Sequence, residues 1–339
     1  MKPLRTFLTT SSMLTLCGLV PDYASEPMVK TQPGFYRMML GDFEVTALND
    51  GVVAYPVSRV LPTATAAQIK RGLLENGLTD PVGLSYNAFL INTGSKLVLI
   101  DTGTGGKLDN EPEFHGAGHL MANLRAAGYR PEQIDEVYIT HQGQDHIGGL
   151  TLGNERAFPN ALVRVPKSET DMLIFLDQTK TAALLEQAHG DKHVSEWLQF
   201  TRDLFEPYIR AGRFQTIDED VPLVPGIRAL GTHGHSLGHT SYVVESQGQT
   251  LVVMGDLVLM GALQFANPSL GSAFDADSKA ATAQRLRVFK MAADSGDWVA
   301  GGHLSFPGIG HIRASAGRYF WIPANYTTPG DLSYPPTGK

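Results

Sequence analysis

Five short apolar runs in this chain each lead directly into a histidine or an aspartate. KLVLID ends at Asp101. EVYIT runs into His141, Asp145 and His146. IRALGT is followed by His233, His235 and His239, TLVVMG by Asp256, and DWVAGG by His303. Short Val/Ile/Leu-rich runs read as strands buried on both faces. Strands that deliver polar groups at their C-terminal ends place a site at one sheet edge, where rigid backbone holds the loops. Helical spacing fills 64–76, 118–127, much of 167–211 and 277–293. Hairpins are expected over 42–57, turning at Asp50-Gly51, over 87–101, turning at Thr93-Gly94-Ser95, and around Gln247-Gly248-Gln249. Interleaved strands, helices and hairpins predict a layered α/β or α+β architecture, not an all-parallel doubly wound sheet.

The donor chemistry is restricted by what the chain lacks. Its single cysteine is Cys17, so no disulfide forms within the chain and thiolates cannot build the site. Of the 11 histidines, five stand in the clusters 141–146 and 233–239. Histidine and carboxylate clusters without thiols suit Zn²⁺ or a similar divalent ion in an open, catalytic site. A formal charge of -7 argues against a nucleic-acid surface and fits a neutral or cationic small-molecule substrate. Hydrophobic content of 42% over 339 residues is enough for a packed core.

Residues 1–25 have the layout of a secretory signal peptide. Lys2 and Arg5 precede an apolar stretch from Phe7 to Val20, followed by Pro21 and small residues at Ala24 and Ser25. A lipid anchor through Leu14-Thr15-Leu16-Cys17 is the weaker alternative, because Leu16 stands where a small residue is wanted. The expectation is a periplasmic or secreted protein with one domain over 26–339, no membrane span, and a homodimer as the default oligomer.

Taken together, Asp101-Thr-Gly, Thr140-His141-x-Gly143-x-Asp145-His146-x-Gly-Gly, Gly238-His239, Asp256 and His303 resemble the metallo-β-lactamase superfamily. The stretches GFYRMMLGDFEVTALNDG, AAGYRPEQIDEVYITH and HLSFPGIGHIRA are similar to its methyl parathion hydrolase branch. The resemblance covers residues 35–325 and implies an αββα sandwich with two metals at one edge. It assigns His141, the residue at 143 and His239 to a first ion. Asp145, His146 and His303 hold the second, Asp256 bridges the two, and Asp101 braces the central loop. The implied reaction is hydrolysis of a small neutral ester by metal-activated hydroxide, with Asp256 and Asp145 as the catalytic carboxylates. Organophosphate triesters lead as substrates and a lactonase or arylesterase is the alternative. Leu259, Met260 and Phe265 are the candidates for an apolar substrate wall, or for core.

The chain departs from the family pattern H-x-H-x-D-H at Gly143, which has no side chain to donate. Flanking Gln142 and Gln144 are poor zinc donors and one residue out of step. The expectation is a loosely held first ion, a one-metal enzyme, or a binding protein that kept the fold and lost the chemistry. Leu237 also replaces a frequent proline. His233 and His235 match no family ligand and read as polar support. His115 and His119 read as solvated, and His311 as structural. Residues 234–238 match the G-x-S-x-G elbow of serine hydrolases, and Ser236, Asp256 and His303 fall in order. That elbow needs a helix after the serine, whereas TSYVVESQGQTLVVMGD reads as a hairpin.

Overall fold

The computed structural model describes residues 32–106, 114–173, 179–180, 183 and 194–325. The leader and Cys17 lie outside them. Among the described residues, two seven-stranded sheets dominate. The first runs in order β1 (Phe35–Leu40), β2 (Phe43–Tyr55), β3 (Val82–Asn92), β4 (Leu97–Ile100), β5 (Glu136–Tyr138), β6 (Leu162–Pro166) and β7 (Phe214–Ile217). The second runs β8 (Pro222–Val224), β9 (Ile227–Gly231), β10 (Thr240–Ser246), β11 (Gln249–Val253), β12 (Trp298–Ala300), β13 (Ile309–Ser315) and β14 (Arg318–Pro323). Pairing from β1 to β4 is antiparallel, and β4 to β7 pair in parallel. In the second sheet only β11 and β12 pair in parallel.

The all-apolar strands are explained by burial on both faces. In β4, Val98 and Ile100 enter the core between the sheets with Phe89, Tyr242, Val244 and Val253. Leu99 faces the other way and packs with Leu120, Leu124, Phe205 and Tyr208 from two helices, Leu120–Ala126 and Val194–Arg210. Val243, Val252 and Val299 of the second sheet pack outward on Val288, Phe289 and Ala292 of the helix Ser278–Ser295. The result is four layers, helix–sheet–sheet–helix, as expected. Each fully buried aliphatic side chain contributes about 1.5–3 kcal/mol. No helix among the described residues is long and apolar enough to cross a membrane.

Most expected elements are present, including the helix Ala66–Glu75 with its Thr65–Gln68 capping box and the hairpins β3–β4 and β10–β11. The expected turn at Asp50-Gly51 is absent. β2 continues through it as a single strand, and the register on β3 slips between Asn49 and Gly51. The extra residue is Asp50. Its buried carboxylate accepts from Thr104 N (2.9 Å), Thr104 Oγ1 (2.7 Å), Gly118 N (3.1 Å) and Leu120 N (2.9 Å). The bulge turns a turn-forming residue inward, where it joins β2 to the loop after Asp101 and to the start of a helix.

Candidate metal centre

The C-terminal ends of β4, β5, β9, β11 and β12 converge on one edge of the sandwich. Asp101 follows β4 directly in left-handed backbone (φ 62°) and points its carboxylate across to β5. It accepts from Thr140 N (2.9 Å), Thr140 Oγ1 (2.8 Å) and His146 Nδ1 (2.8 Å). Gly143 caps a one-turn helix, Gln144–Ile147, that carries Asp145 and His146. That turn sits tight against the loop after β4: a Cβ on Gly148 would lie 2.0 Å from Thr104 O, and one on Gly149 2.0 Å from Thr102 O. The glycine pair of the motif is a steric requirement of this approach.

The partners of the ring nitrogens decide which atoms face inward. Thr140 Oγ1 gives its proton to Asp101, so it can only accept from His141 Nδ1 (3.1 Å). His146 Nδ1 donates to Asp101, and His303 Nδ1 donates to the Ser85 carbonyl (3.1 Å). With Nδ1 committed outward, each neutral ring turns its Nε2 lone pair inward, towards carboxylates. His303 Nε2 lies 3.1 Å from Asp256 Oδ2 and 3.2 Å from Asp145 Oδ2. His146 Nε2 lies 3.2 Å from Asp256 Oδ1 and 3.5 Å from Asp145 Oδ2, and His141 Nε2 3.7 Å from Asp256 Oδ2. Lone pairs facing carboxylates need a cation between them, either a proton or a metal. His146 Nε2 and Asp256 Oδ1 are buried with no hydrogen-bond partner, as donors reserved for an ion would be. His141, His146 and Asp256 form one group able to hold a metal, and Asp145, His146 and His303 another.

The same demand shows in shifted proton affinities. Burial alone would lower His303 and His146, but Asp256 and Asp145, with Asp101 for His146, reverse it. His303 is pushed up to about 10 and His146 well above its ordinary value. Burial would raise Asp256 and Asp145, yet the surrounding imidazoles hold both below the usual carboxylate range. His141 is driven well down by burial and by its neighbour His146, and His239 down to about 3 by burial and by His235.

Two expected features take a different form. His239 lies in the cluster, its ring 5.3 Å from that of His141, but its Nε2 accepts from Asp256 N (3.0 Å) while Nδ1 meets Thr232. His235, expected only as support, is buried beside the site with Nε2 3.3 Å from Asp256 Oδ2. Glu169, which the sequence reading did not single out, is buried and accepts from Gln142 N (3.2 Å), Gly238 N (2.7 Å) and Ser236 Oγ. One carboxylate thus ties the loop of His141 to the loop of His235 and His239. Burial raises its proton affinity, and these donors partly offset that. No local spacing signals this role, because the two loops are brought together only by the sheets.

The remaining assignments follow from contacts. His233 pairs with Glu219 at 2.6 Å, away from the cluster, and His311 packs on Trp298 at 3.9 Å between ring centres. His115 and His119 are exposed. Ser236 is spent on Glu169 and is followed by β10, not a helix, which removes the serine-elbow reading. Leu259, Met260 and Phe265 are all buried. They border a cavity of about 540 Å³ that also touches His303 and is walled by Leu84, Phe306 and Trp321. Phe265 is in addition stacked between Phe289 and Trp321, so it is part of the core.

A family model described as the metallo-beta-lactamase superfamily matches residues 81–303. Among solved structures, the hydrolase AbOPH of the beta lactamase superfamily is similar with a TM-score of 0.79 and 32% identity, over 88% of this chain and 100% of AbOPH. AidC, a dizinc quorum-quenching lactonase solved with its product, is similar with a TM-score of 0.76 and 26% identity, over 87% of this chain and 99% of AidC. The N-acyl homoserine lactonase of Bacillus cereus is 22% identical over 217 residues, 60% of this chain and 75% of that enzyme.

Proposed function

Because this chain belongs to the metallo-β-lactamase superfamily and is a metal-dependent hydrolase by type, we propose that it opens lactones and related small neutral esters. The observation that carries this reading is the convergence of His141, His146 and His303 lone pairs on Asp145 and Asp256, a donor set that fits divalent ions such as zinc. Bound there, the metal would make hydroxide available near neutral pH and draw charge from the oxygen under attack.

The protein's own groups account for the rest. Asp101 and the Ser85 carbonyl fix the tautomers of His146 and His303, so their Nε2 donors are held in place before anything binds. Asp256 is almost sealed from solvent, with its side chain 4% exposed, whereas Asp145 is 18% exposed. Held ionised by His146 and His303, Asp145 is the carboxylate placed to take a proton at the site and pass it towards the leaving oxygen. The cavity beside His303 is of a size suited to a small ligand and mixes apolar walls such as Leu84, Leu259 and Phe306 with polar groups such as Asn76 and Arg318, which suits an ester carrying an acyl chain. The similarity to AidC and to N-acyl homoserine lactonases supports a lactone over other esters. Phosphotriester hydrolysis is the second reading, favoured by the three stretches similar to methyl parathion hydrolases. The amino-terminal pattern of Lys2, Arg5 and Phe7–Val20 supports export to the periplasm or beyond.

The test is a panel of N-acyl homoserine lactones, simple lactones, aryl esters and a dialkyl aryl phosphotriester, each assayed before chelation, after it, and after zinc is returned. Lactone turnover that chelation abolishes and zinc restores is expected. Turnover confined to the phosphotriester would select the second reading, and chelator-insensitive hydrolysis or none would sink both.

A further inference from the structure

We propose that Arg285 and Gln264 are positioning residues for substrate selection: they fix the backbone of residues 257–270, and with it the wall that meets the acyl group in the cavity beside His303, so that the protein discriminates between acyl chains by length. This rests on the small-ester reading above. Leu259, Met260 and Leu263 are buried and border that cavity. They lie on irregular backbone. Between Val258 and Leu270 the regular structure is a single helical turn, Gly261–Gln264. One turn does not hold its own shape in water. An apolar wall built on such a segment is only as selective as its backbone is rigid.

Two buried polar side chains supply the rigidity. Gln264 closes the segment on itself. Its Oε1 accepts from Leu259 N at 2.9 Å and Met260 N at 3.0 Å, and its Nε2 donates to Leu270 O at 2.9 Å. Arg285 reaches in from the helix Ser278–Ser295. Its Nε donates to Leu257 O, and its Nη1 to Pro268 O at 2.7 Å and Leu270 O at 3.0 Å. Leu270 O therefore accepts from both side chains. Both are fully buried. The guanidinium fork is what lets one side chain span carbonyls at the two ends of the segment. Stability alone does not explain the choice. These bonds of Arg285 end on backbone carbonyls, and its Nη2 is buried without a hydrogen-bond partner. A desolvated cation served in this way costs more than an apolar side chain of the same volume. What the arrangement secures is one conformation of the wall. The two residues divide the work. Gln264 holds Leu259, Met260 and Leu270, which belong to the wall and its return. Arg285 also holds Leu257, the residue after Asp256, and so acts on the metal-site turn as well.

The experiment measures kcat and KM over N-acyl homoserine lactones and aryl esters of increasing acyl length. Zinc affinity, from competition with a chromophoric chelator, is the second readout. The full chain is compared with Gln264→Met, Gln264→Glu, Arg285→Lys and Leu259→Ala. In a rigid apolar pocket one methylene too many or too few is worth about 10–200-fold. The natural protein should therefore favour one length over the next by about tenfold or more in kcat/KM. Gln264→Met nearly conserves volume and removes the amide's hydrogen bonds. It should shrink that preference to about threefold or less, through KM, with zinc affinity unchanged. Gln264→Glu keeps an acceptor for both amides and should retain most of the preference. Arg285→Lys should flatten the preference and also weaken zinc binding, because one ammonium cannot serve carbonyls at both ends of the segment. Leu259→Ala widens the wall without touching its hydrogen bonds and should move the preference to longer chains. An unchanged preference in Gln264→Met overturns the assignment. So does an equal loss of kcat at every length in that variant, the mark of general loosening. Should Gln264→Met fail to fold by circular dichroism, Arg285→Lys decides by the same ratio. A preference that stays in place in Leu259→Ala means that the acyl chain lies elsewhere, and overturns the assignment while leaving the hydrolase standing. No length preference in the natural protein overturns it as well. No turnover of any ester or lactone overturns the small-ester reading itself.

Discussion

Replacing Asp101 by asparagine removes one negative charge from beneath the metal centre and almost nothing else. The two side chains are isosteric. Asparagine is also the non-glycine residue, with aspartate, that best tolerates the left-handed backbone found at 101 (φ 62°). In the natural protein one carboxylate serves Thr140 N, Thr140 Oγ1 and His146 Nδ1, all at 2.8–2.9 Å. An amide has a single acceptor oxygen. If that oxygen stays on Thr140 N, the amide nitrogen faces Thr140 Oγ1 and His146 Nδ1. The hydroxyl can turn to accept, but the imidazole N–H then meets another donor. The loss is one charge-assisted hydrogen bond, about 1.5–3 kcal/mol. For metal binding, the same energy corresponds to roughly 10–100-fold, the range typical when a histidine ligand loses its carboxylate partner. Urea denaturation of the metal-free protein should show the stability loss, and zinc competition titration the loss of affinity. A variant with stability within about 0.5 kcal/mol of the natural protein and unchanged zinc affinity would refute the argument that Asp101 fixes His146 for the metal.

Other consequences follow from the same structure. In the metal-free protein at neutral pH, His146 and His303 carry protons, His303 with its affinity pushed up to about 10. Zinc needs neutral imidazoles, so binding should release protons and tighten as pH rises towards the His303 value; identical calorimetric enthalpies in buffers of different ionisation heat would contradict this. Asp50→Ala strips three backbone N–H groups and the Thr104 hydroxyl of their acceptor. At about 1–3 kcal/mol for each buried group left unpaired, a loss of at least about 3 kcal/mol is expected in urea denaturation, and a change under about 1 kcal/mol would show that water takes over these bonds. Gly149→Ala places a methyl 2.0 Å from Thr102 O and should cost roughly 1–3 kcal/mol in thermal unfolding; a variant as stable as the parent would mean that the loop after β4 yields freely.

The periodicity of the chain was enough to predict a layered architecture of strands and helices, while the four-layer order came from the family resemblance. Leu97–Ile100 and Leu251–Val253 are apolar on successive residues because both faces are covered, and that is visible one residue at a time. The motif residues were legible for a related reason. They follow four strands, with His141 and His146 sharing β5, so the strand ends deliver Asp101, His141, His146, Asp256 and His303 to one edge. Asp50-Gly51 misled, since the dipeptide favours a turn locally, while pairing of β2 with β3 on both sides carries the strand through as a bulge.

His233 and His235 mark the limit most clearly. In sequence they are two equal members of one histidine cluster, two residues apart. In the fold His233 is 40% exposed and bound to Glu219, while His235 is 8% exposed and held by Asp275, 40 residues further along the chain. The gap at Gly143 could be seen from sequence. Which side chains of the other loop come near it depends on the long-range approach of the loop before β10 to the loop after β5, tied by Glu169. Local spacing specifies which side chains a strand end offers. Which lone pair reaches the ion is decided by tertiary packing, because only packing fixes what the other ring nitrogen must bond.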